Sequence, residues 1–389
     1  MKIIHYCQHV LGLGHFFRTL EICRALSDHN VTLVTGGAEV DARLPDHVRE
    51  IRLPGLMMDS GFRQMFSTEA GQSVDMVKER RRGILRRIFE QEQPDLFIVE
   101  LYPFGRKAFR FELDPILADI RSHELPPCRV VCSLRDILVE KKDTDAWEKR
   151  VLSILNRHFD ALLIHADPAL LSLDRTFSRM SDIAVPVAYT GFVTPEPPPD
   201  ARRALRLRLG LRDDTPLVVA SAGGGKVGAP LLKAVAEAFP RMGNGARLQI
   251  FTGPFMADDD VAALARSAGD GIHVARFTPD FLSWLAAADL SVSMAGYNTC
   301  MNLMAAAVPS LVWPFARNRE QRLRAEHLSR FGGLRLLRDA ELEPSRLCDL
   351  MAHSLDRNER PAPRIDLNGA AHTAEWLETW MAGGAEKAF

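Results

Sequence analysis

His15 stands behind two glycines and ahead of an arginine, in Gly12-Leu13-Gly14-His15-Phe16-Phe17-Arg18. Two glycines let the backbone turn closely, and an imidazole at the entrance of the helix that follows can take a proton near neutral pH from an attacking hydroxyl. Arg18, one turn further on, is expected to reach either a phosphate or an acidic neighbour. A second stretch is Ser293-Met294-Ala295-Gly296-Tyr297-Asn298-Thr299. An apolar run precedes it and a helix-forming run follows, so Ala295 and Gly296 fall in a strand-to-helix turn. The first turn of such a helix presents amides and the positive end of its dipole, and Ser293, Asn298 and Thr299 add short polar groups, which together make a phosphate seat. After the next apolar run come Glu320 and Gln321, an acid and an amide beside the same seat. Gly223-Gly224-Gly225-Lys226 offers a second anion-binding turn without the spacing of a Walker A loop. Diphosphate on one strand end and hydroxyl-binding groups on the next suit a nucleotide sugar. Glu100 closes another apolar run, and Arg135-Asp136 closes a third. These three are expected to bind acceptor hydroxyls, to orient His15, or to pair among themselves or with Arg106.

The elements that must hold these residues alternate between strand and helix signals. Strands are expected at 2–6, 31–35, 48–53, 96–99, 130–133, 161–164 and 184–188, then at 217–221, 247–252, 273–277, 290–294 and 310–313. Such alternation argues parallel sheets with helices on both faces, and those folds bind ligands at the carboxyl ends of their strands, where every residue named above lies. A helix is expected over 19–26. Four prolines at 195 and 197–199 form a stiff connector, and Asp200 is placed to cap the helix behind it. The expected organisation is a domain over 1–194, a linker over 195–200, a second domain over 201–368 and a C-terminal helical segment over 369–389.

With those motifs in place, the chain resembles the MurG-like, family 28 type of glycosyltransferases. In that family a Gly-Gly-x-Asn-Thr turn holds the diphosphate, a glutamate a few residues on holds the ribose, and an acid-Gln pair holds the donor sugar. Met294 to Thr299 and Glu320-Gln321 correspond, with Ala295 at the first glycine and Asn302 where the ribose glutamate is usual. The resemblance implies a GT-B fold, with two Rossmann-like domains and parallel sheets facing across a cleft. It places Gly223, Gly224, Gly225 and Lys226 across the donor from the phosphate turn, and Phe277 at the stretch that reads the base. The C-terminal helix is expected to pack back over the first domain. The loop with Gly12, Gly14, His15 and Arg18 is also similar to the Gly-x-Gly-His-x-x-Arg loop of nucleotide-sugar hydrolases of the pseudaminic acid pathway, where the histidine is catalytic. The expected activity is transfer of a sugar from a nucleoside diphosphate, UDP above all, to an unidentified acceptor, with inversion and His15 as base. A hydrolase in which His15 activates water is one alternative, and a non-catalytic nucleotide-sugar-binding protein, suggested by Asn302, is another.

Composition bounds the rest. Hydrophobic residues make up 47% and charged ones 25%, with a net charge of -1, so no global attraction to nucleic acid is expected. Six cysteines without a C-x-x-C pair read as free, mostly buried thiols in a reducing compartment. No His/Cys set of metal-ligand spacing stands out, and the expected reaction uses no metal and no cofactor beyond its substrate. The N-terminus lacks a leader-like apolar run and no stretch is long and apolar enough to span a bilayer, so a cytoplasmic location is expected. Between the third and fourth strands, Leu56, Met57, Met58, Phe62, Met65 and Phe66 precede a run over 78–87 with six cations and one acid. That composition suits peripheral contact with an anionic bilayer and a lipid-linked acceptor; the other acceptors in view are a peptide or a small molecule.

Overall fold

The computed structural model describes residues 1–9, 14–37, 39–40, 42–58, 64–139, 141–243, 245–315, 319–330, 334–357, 360–361 and 364–383. The chain divides into two compact units, Met1–Val193 with Asn368–Phe389, and Thr194–Leu367.

In the first unit β1 (Lys2–Tyr6) leads through α1 (Gly14–Ala25) to β2 (Asn30–Thr35) and β3 (Val48–Arg52). The short strands β4 (Leu56–Met58) and β5 (Met65–Ser67) pair antiparallel ahead of α2 (Val74–Glu92). Then follow β6 (Leu96–Glu100), α3 (Arg110–Arg121), β7 (Arg129–Arg135), α4 (Thr144–His158), β8 (Ala161–His165) and β9 (Val187–Tyr189). The sheet runs β3-β2-β1-β6-β7-β8-β9, parallel throughout. β6 and β8 are buried along their whole length, which is why they read as near-continuous apolar runs.

The second unit holds α5 (Ala201–Arg208), β10 (Leu217–Ser221), α6 (Ala229–Ala238), β11 (Arg247–Phe251), α7 (Asp258–Ser267), β12 (Ile272–Ala275) and α8 (Phe281–Ala287). It continues with β13 (Leu290–Met294), α9 (Tyr297–Ala306), β14 (Ser310–Trp313), α10 (Arg319–Arg330), β15 (Arg335–Leu336) and α11 (Pro344–Arg357). Its parallel sheet runs β12-β11-β10-β13-β14-β15. α12 (Gly369–Met381) returns to the first unit, where Trp376 and Leu377 share a core with Phe16 and Leu20 of α1.

In both sheets the strand order reverses once, between β1 and β6 and between β10 and β13. At such a switch point the loops leave in opposite directions and open a crevice at the carboxyl ends of the two strands. Two local expectations fail. Asp200 has left-handed backbone and makes no side-chain cap to α5. The helix expected over 19–26 begins at Gly14, which places His15 in its first turn. The six cysteines are free, and all but Cys348 are buried.

Candidate active site

In the first unit, Glu100 ends β6 and His15 opens α1, beside the reversal of strand order. Nδ1 of His15 lies 2.6 Å from Oε1 of Glu100, and Nη2 of Arg18 reaches the same oxygen at 2.6 Å. Arg106 approaches the other oxygen, Nη2 to Oε2, at 3.4 Å. Burial alone would raise the Glu100 carboxyl, but His15, Arg106 and Arg18 together hold it well below the usual carboxylate range. Burial pushes the His15 imidazole down to about 3 against the opposing pull of Glu100, and Arg106 and Arg18 press the same way as burial. Neutral imidazole beside ionised carboxylate fixes the tautomer, because an anionic Glu100 can only accept. Nδ1 therefore carries the proton and donates it to Glu100, which leaves a lone pair on Nε2. The His15 side chain is 20% exposed, so a substrate can reach it. The arrangement is that of a general base oriented by a carboxylate.

Beneath it, His5 is buried and pushed by that burial down to about 3, and its Nδ1 lies 3.6 Å from the Cys23 sulfur. His165 is held between the hydroxyls of Ser133 (2.7 Å) and Thr190 (2.9 Å). Both are locked in place as core groups.

In the second unit, the loops after β10 and β13 meet at the other reversal. Gly296 precedes α9 with φ −65° and ψ 153°, backbone open to any residue, and an added Cβ would meet nothing nearer than Thr299 Oγ1 at 3.7 Å. The fold makes no demand for glycine there; bare backbone keeps the helix entrance clear. The amides of Tyr297, Asn298 and Thr299 precede the first intrahelical donor, Cys300, whose amide bonds back to the Gly296 carbonyl at 2.9 Å. Thr299 Oγ1 also lies 3.5 Å from where a Cβ on Gly223 would stand, so the glycine loop and the α9 entrance border one space. Gly223 and Gly225 hold left-handed backbone, φ 61° and 90°. A Cβ on Gly225 would come within 2.4 Å of the Thr252 carbonyl. The loop rests on Gly253, a residue the sequence reading did not single out: its own Cβ would fall 2.3 Å from the Gly223 carbonyl. Lys226 is exposed at the loop's end.

A model of the glycosyltransferase family 28 C-terminal domain matches residues 219–377. The UDP-N-acetylglucosamine–N-acetylmuramyl-(pentapeptide) pyrophosphoryl-undecaprenol N-acetylglucosamine transferase of Frankia casuarinae is 34% identical over 154 residues, covering 39% of this chain and 40% of its own. Its namesake from Agrobacterium fabrum is 31% identical over 133 residues, covering 33% of this chain and 35% of its own. The chain thus spans two fifths or less of the length of these curated relatives. The crystal structure of MurG from Acinetobacter baumannii aligns with 97% of this chain and 100% of its own, with a TM-score of 0.58 and 15% identity, which shows the fold. Residues 219–377 thus match the glycosyltransferase family 28 C-terminal domain, and the chain as a whole has the GT-B fold.

In this GT-B chain the structure gathers some of the expected site residues and withdraws others. Gly14 and His15 open α1, while Gly12 lies outside the described residues. Arg18, expected on a donor phosphate or on an acidic neighbour, is 3% exposed and takes the acidic neighbour, Glu100. Glu100, expected to bind an acceptor, to orient His15 or to pair with Arg106, is buried with its oxygens taken by His15, Arg18 and Arg106. Asp136 is likewise buried and accepts the Ile137 amide, so it offers an acceptor no surface. Arg135 stays half-buried at the end of β7, with Nε on the Ile137 carbonyl. Ser293 is fully buried and bonded to Ser291, behind the phosphate seat and not in it. Tyr297 is buried under the Arg324 guanidinium, 5.3 Å from its ring, so its side chain serves packing and its amide the seat. Asn298 and Thr299 remain at the entrance of α9. Asn302, one turn further along, accepts a hydrogen bond from the Thr194 hydroxyl at 3.0 Å. Gln321 holds the Phe315 amide through Oε1, and Glu320 is half-buried next to it. Phe277 is 47% exposed past the end of β12, and Phe255, which the sequence reading missed, is exposed beside Gly224. Among the described residues no group of three or more His, Cys, Asp or Glu is placed to hold a metal.

Proposed function

We propose that the protein transfers a sugar from a UDP-linked donor to an acceptor hydroxyl with inversion at the anomeric carbon. Nε2 of His15 takes the hydroxyl proton as the oxygen bonds to the anomeric carbon. The bond from that carbon to the diphosphate breaks on the opposite side, and UDP leaves with the electron pair. Glu100 stabilises the imidazolium that forms and holds its ring in place. The departing diphosphate is met by the α9 amides, which carry about half a positive charge at the helix entrance, by the glycine loop and by Lys226. This reading calls on no metal.

The observation that carries it is the 2.6 Å contact between His15 and Glu100 at one switch point. The glycine-lined helix entrance at the other supports it, as do the UDP-linked donors named for the Frankia and Agrobacterium relatives. The donor half is tested by titrating UDP into the wild type and Gly296→Val in a calorimeter. The variant's backbone is permitted, so it is expected to fold with unchanged melting and to lose UDP binding because its side chain fills the seat. Unchanged UDP affinity in Gly296→Val would remove the seat from α9.

A further inference from the structure

A six-residue turn after β6 carries Arg106 back to the carboxylate at which that strand ends. Leu101 and Arg106 both hold left-handed backbone, φ 67° and 55°, a region that costs a residue with a side chain on the order of 1 kcal/mol or more. Between them Gly105 donates its amide to the Leu101 carbonyl at 2.8 Å, and a Cβ there would fall 2.7 Å from the Leu101 side chain. Local strain of this kind persists where the surroundings hold it, and here it sets one guanidinium beside the base.

That guanidinium is poorly used. Arg106 is 9% exposed, yet its nearest anion is the Glu100 oxygen at 3.4 Å, long for a charge-assisted hydrogen bond, while His15 and Arg18 hold the same carboxylate at 2.6 Å. Its Nε is buried and meets no acceptor among the described residues. A guanidinium has five N–H groups in a planar fork shaped for a carboxylate or phosphate, and leaving a buried charged donor unmet is costly. Through the carboxylate that joins them, Arg106 Nη2 and His15 Nδ1 are no more than about 8 Å apart.

We propose that Arg106 receives an anionic group of the acceptor, a phosphate or a carboxylate, next to the hydroxyl that His15 deprotonates. The inference rests on the glycosyltransferase reading and narrows its acceptor to an anionic molecule. It also couples binding to chemistry. Arg106 is one of the cations that weaken His15 as a base, so an anion seated on it strengthens that base when the acceptor is in place.

The test fills the donor seat with UDP and then titrates inorganic phosphate and, separately, acetate. Binding is read by calorimetry and the titration of His15 by its ring-nitrogen resonances. The expected result is that at least one anion binds the wild type and moves the His15 titration upward, the better ligand identifying phosphate or carboxylate as the group recognised. Arg106→Gln should weaken that binding at least about tenfold, and Arg106→Lys, which keeps the charge and loses the fork, should fall between. If Arg106→Gln does not fold, the comparison with Arg106→Lys decides. Failure of both anions to bind, or equal binding by the variants, overturns the proposal. Failure of UDP to bind overturns the nucleotide-sugar reading instead, and the comparison of anion binding with and without Arg106 still stands.

Discussion

Glu100 shares two oxygens among His15, Arg18 and Arg106, and burial, with the two arginines acting the same way and Glu100 opposing, sets the charge on His15. With the imidazole pushed down to about 3, it is neutral and able to accept a proton at every pH above that value. The sign is clear: an ordinary histidine base would be lost as pH falls through 6.5, whereas this one persists. We therefore expect kcat/KM to stay flat from about pH 8 to about pH 5, with no acid limb near the usual histidine value. A tenfold loss per pH unit beginning near 6.5 would contradict the buried neutral state. His15→Ala should lower kcat by roughly 100-fold or more with UDP affinity kept, as measured by steady-state kinetics beside calorimetry. Wild-type turnover in that variant would leave the glycine loop a structural feature. His15 stands out in the sequence because its neighbours Gly14 and Arg18 are local. For Glu100 the sequence left orientation of His15 as one of several alternatives, since its partners lie 82 and 85 residues away and a strand-end carboxylate suits an acceptor equally well. Arg18 was open between phosphate and acid for the same reason, and only its burial decides.

α9 and the loop after β10 form one device, since Thr299 borders both the Gly296 entrance and Gly223. Asn298 and Asn302 lie four apart and share a face of α9, so what enters over Asn298 runs on toward Asn302. There the carbonyl of the amide is occupied by the Thr194 hydroxyl, and no charged acceptor is offered. Asn302→Glu supplies two carboxylate oxygens, one for Thr194 and one for ribose, and a charge-assisted hydrogen bond is about twice as strong as a neutral one. We expect that variant to bind UDP more tightly than the wild type, and the wild type to discriminate little between UDP and its deoxyribose analogue. Strict preference for the ribose form in competition titrations would assign the ribose to another residue. Strands were legible because β6, β8 and β10 are buried along their whole length and are apolar up to their last residue. Their ends were less so: the strand expected over 273–277 stops at Ala275, and the apolar segment near Met57 pairs as β4 and β5, a hairpin without alternation. Gly253 escaped notice because a single Gly-Pro after a strand reads as an ordinary turn, and its tight approach to Gly223 is a tertiary fact.

Whether the protein rests on a membrane depends on how much of its basic helix faces outward. Of the six cations over 78–87, Arg81 is fully buried against Glu112, and Arg86 pairs with Glu90 and Asp119. Lys78 and Arg82 each have an acidic partner on their own helix, which leaves Arg80 and Arg87 without a carboxylate among the described residues. Phe66 and Met76 are exposed nearby in sequence, and Phe62 lies outside the described residues. No described helix is long and apolar enough to cross a membrane. At about 1 kcal/mol per basic residue near an anionic surface, this face should bind cardiolipin vesicles weakly at low salt and release them at high salt. Sedimentation checks it: no pelleting at low salt would point to an acceptor in solution. The central claim is that one chain couples the His15 base to a nucleotide-sugar seat for transfer to a second molecule. Its most direct test is UDP release from a panel of UDP-sugars, with and without lipid and soluble extracts as sources of acceptor, for the wild type and His15→Ala. The account predicts release that requires an extract and falls roughly 100-fold or more in His15→Ala. Release at the same rate without any acceptor would make the protein a hydrolase, and UDP binding without turnover in any mixture would contradict catalysis altogether.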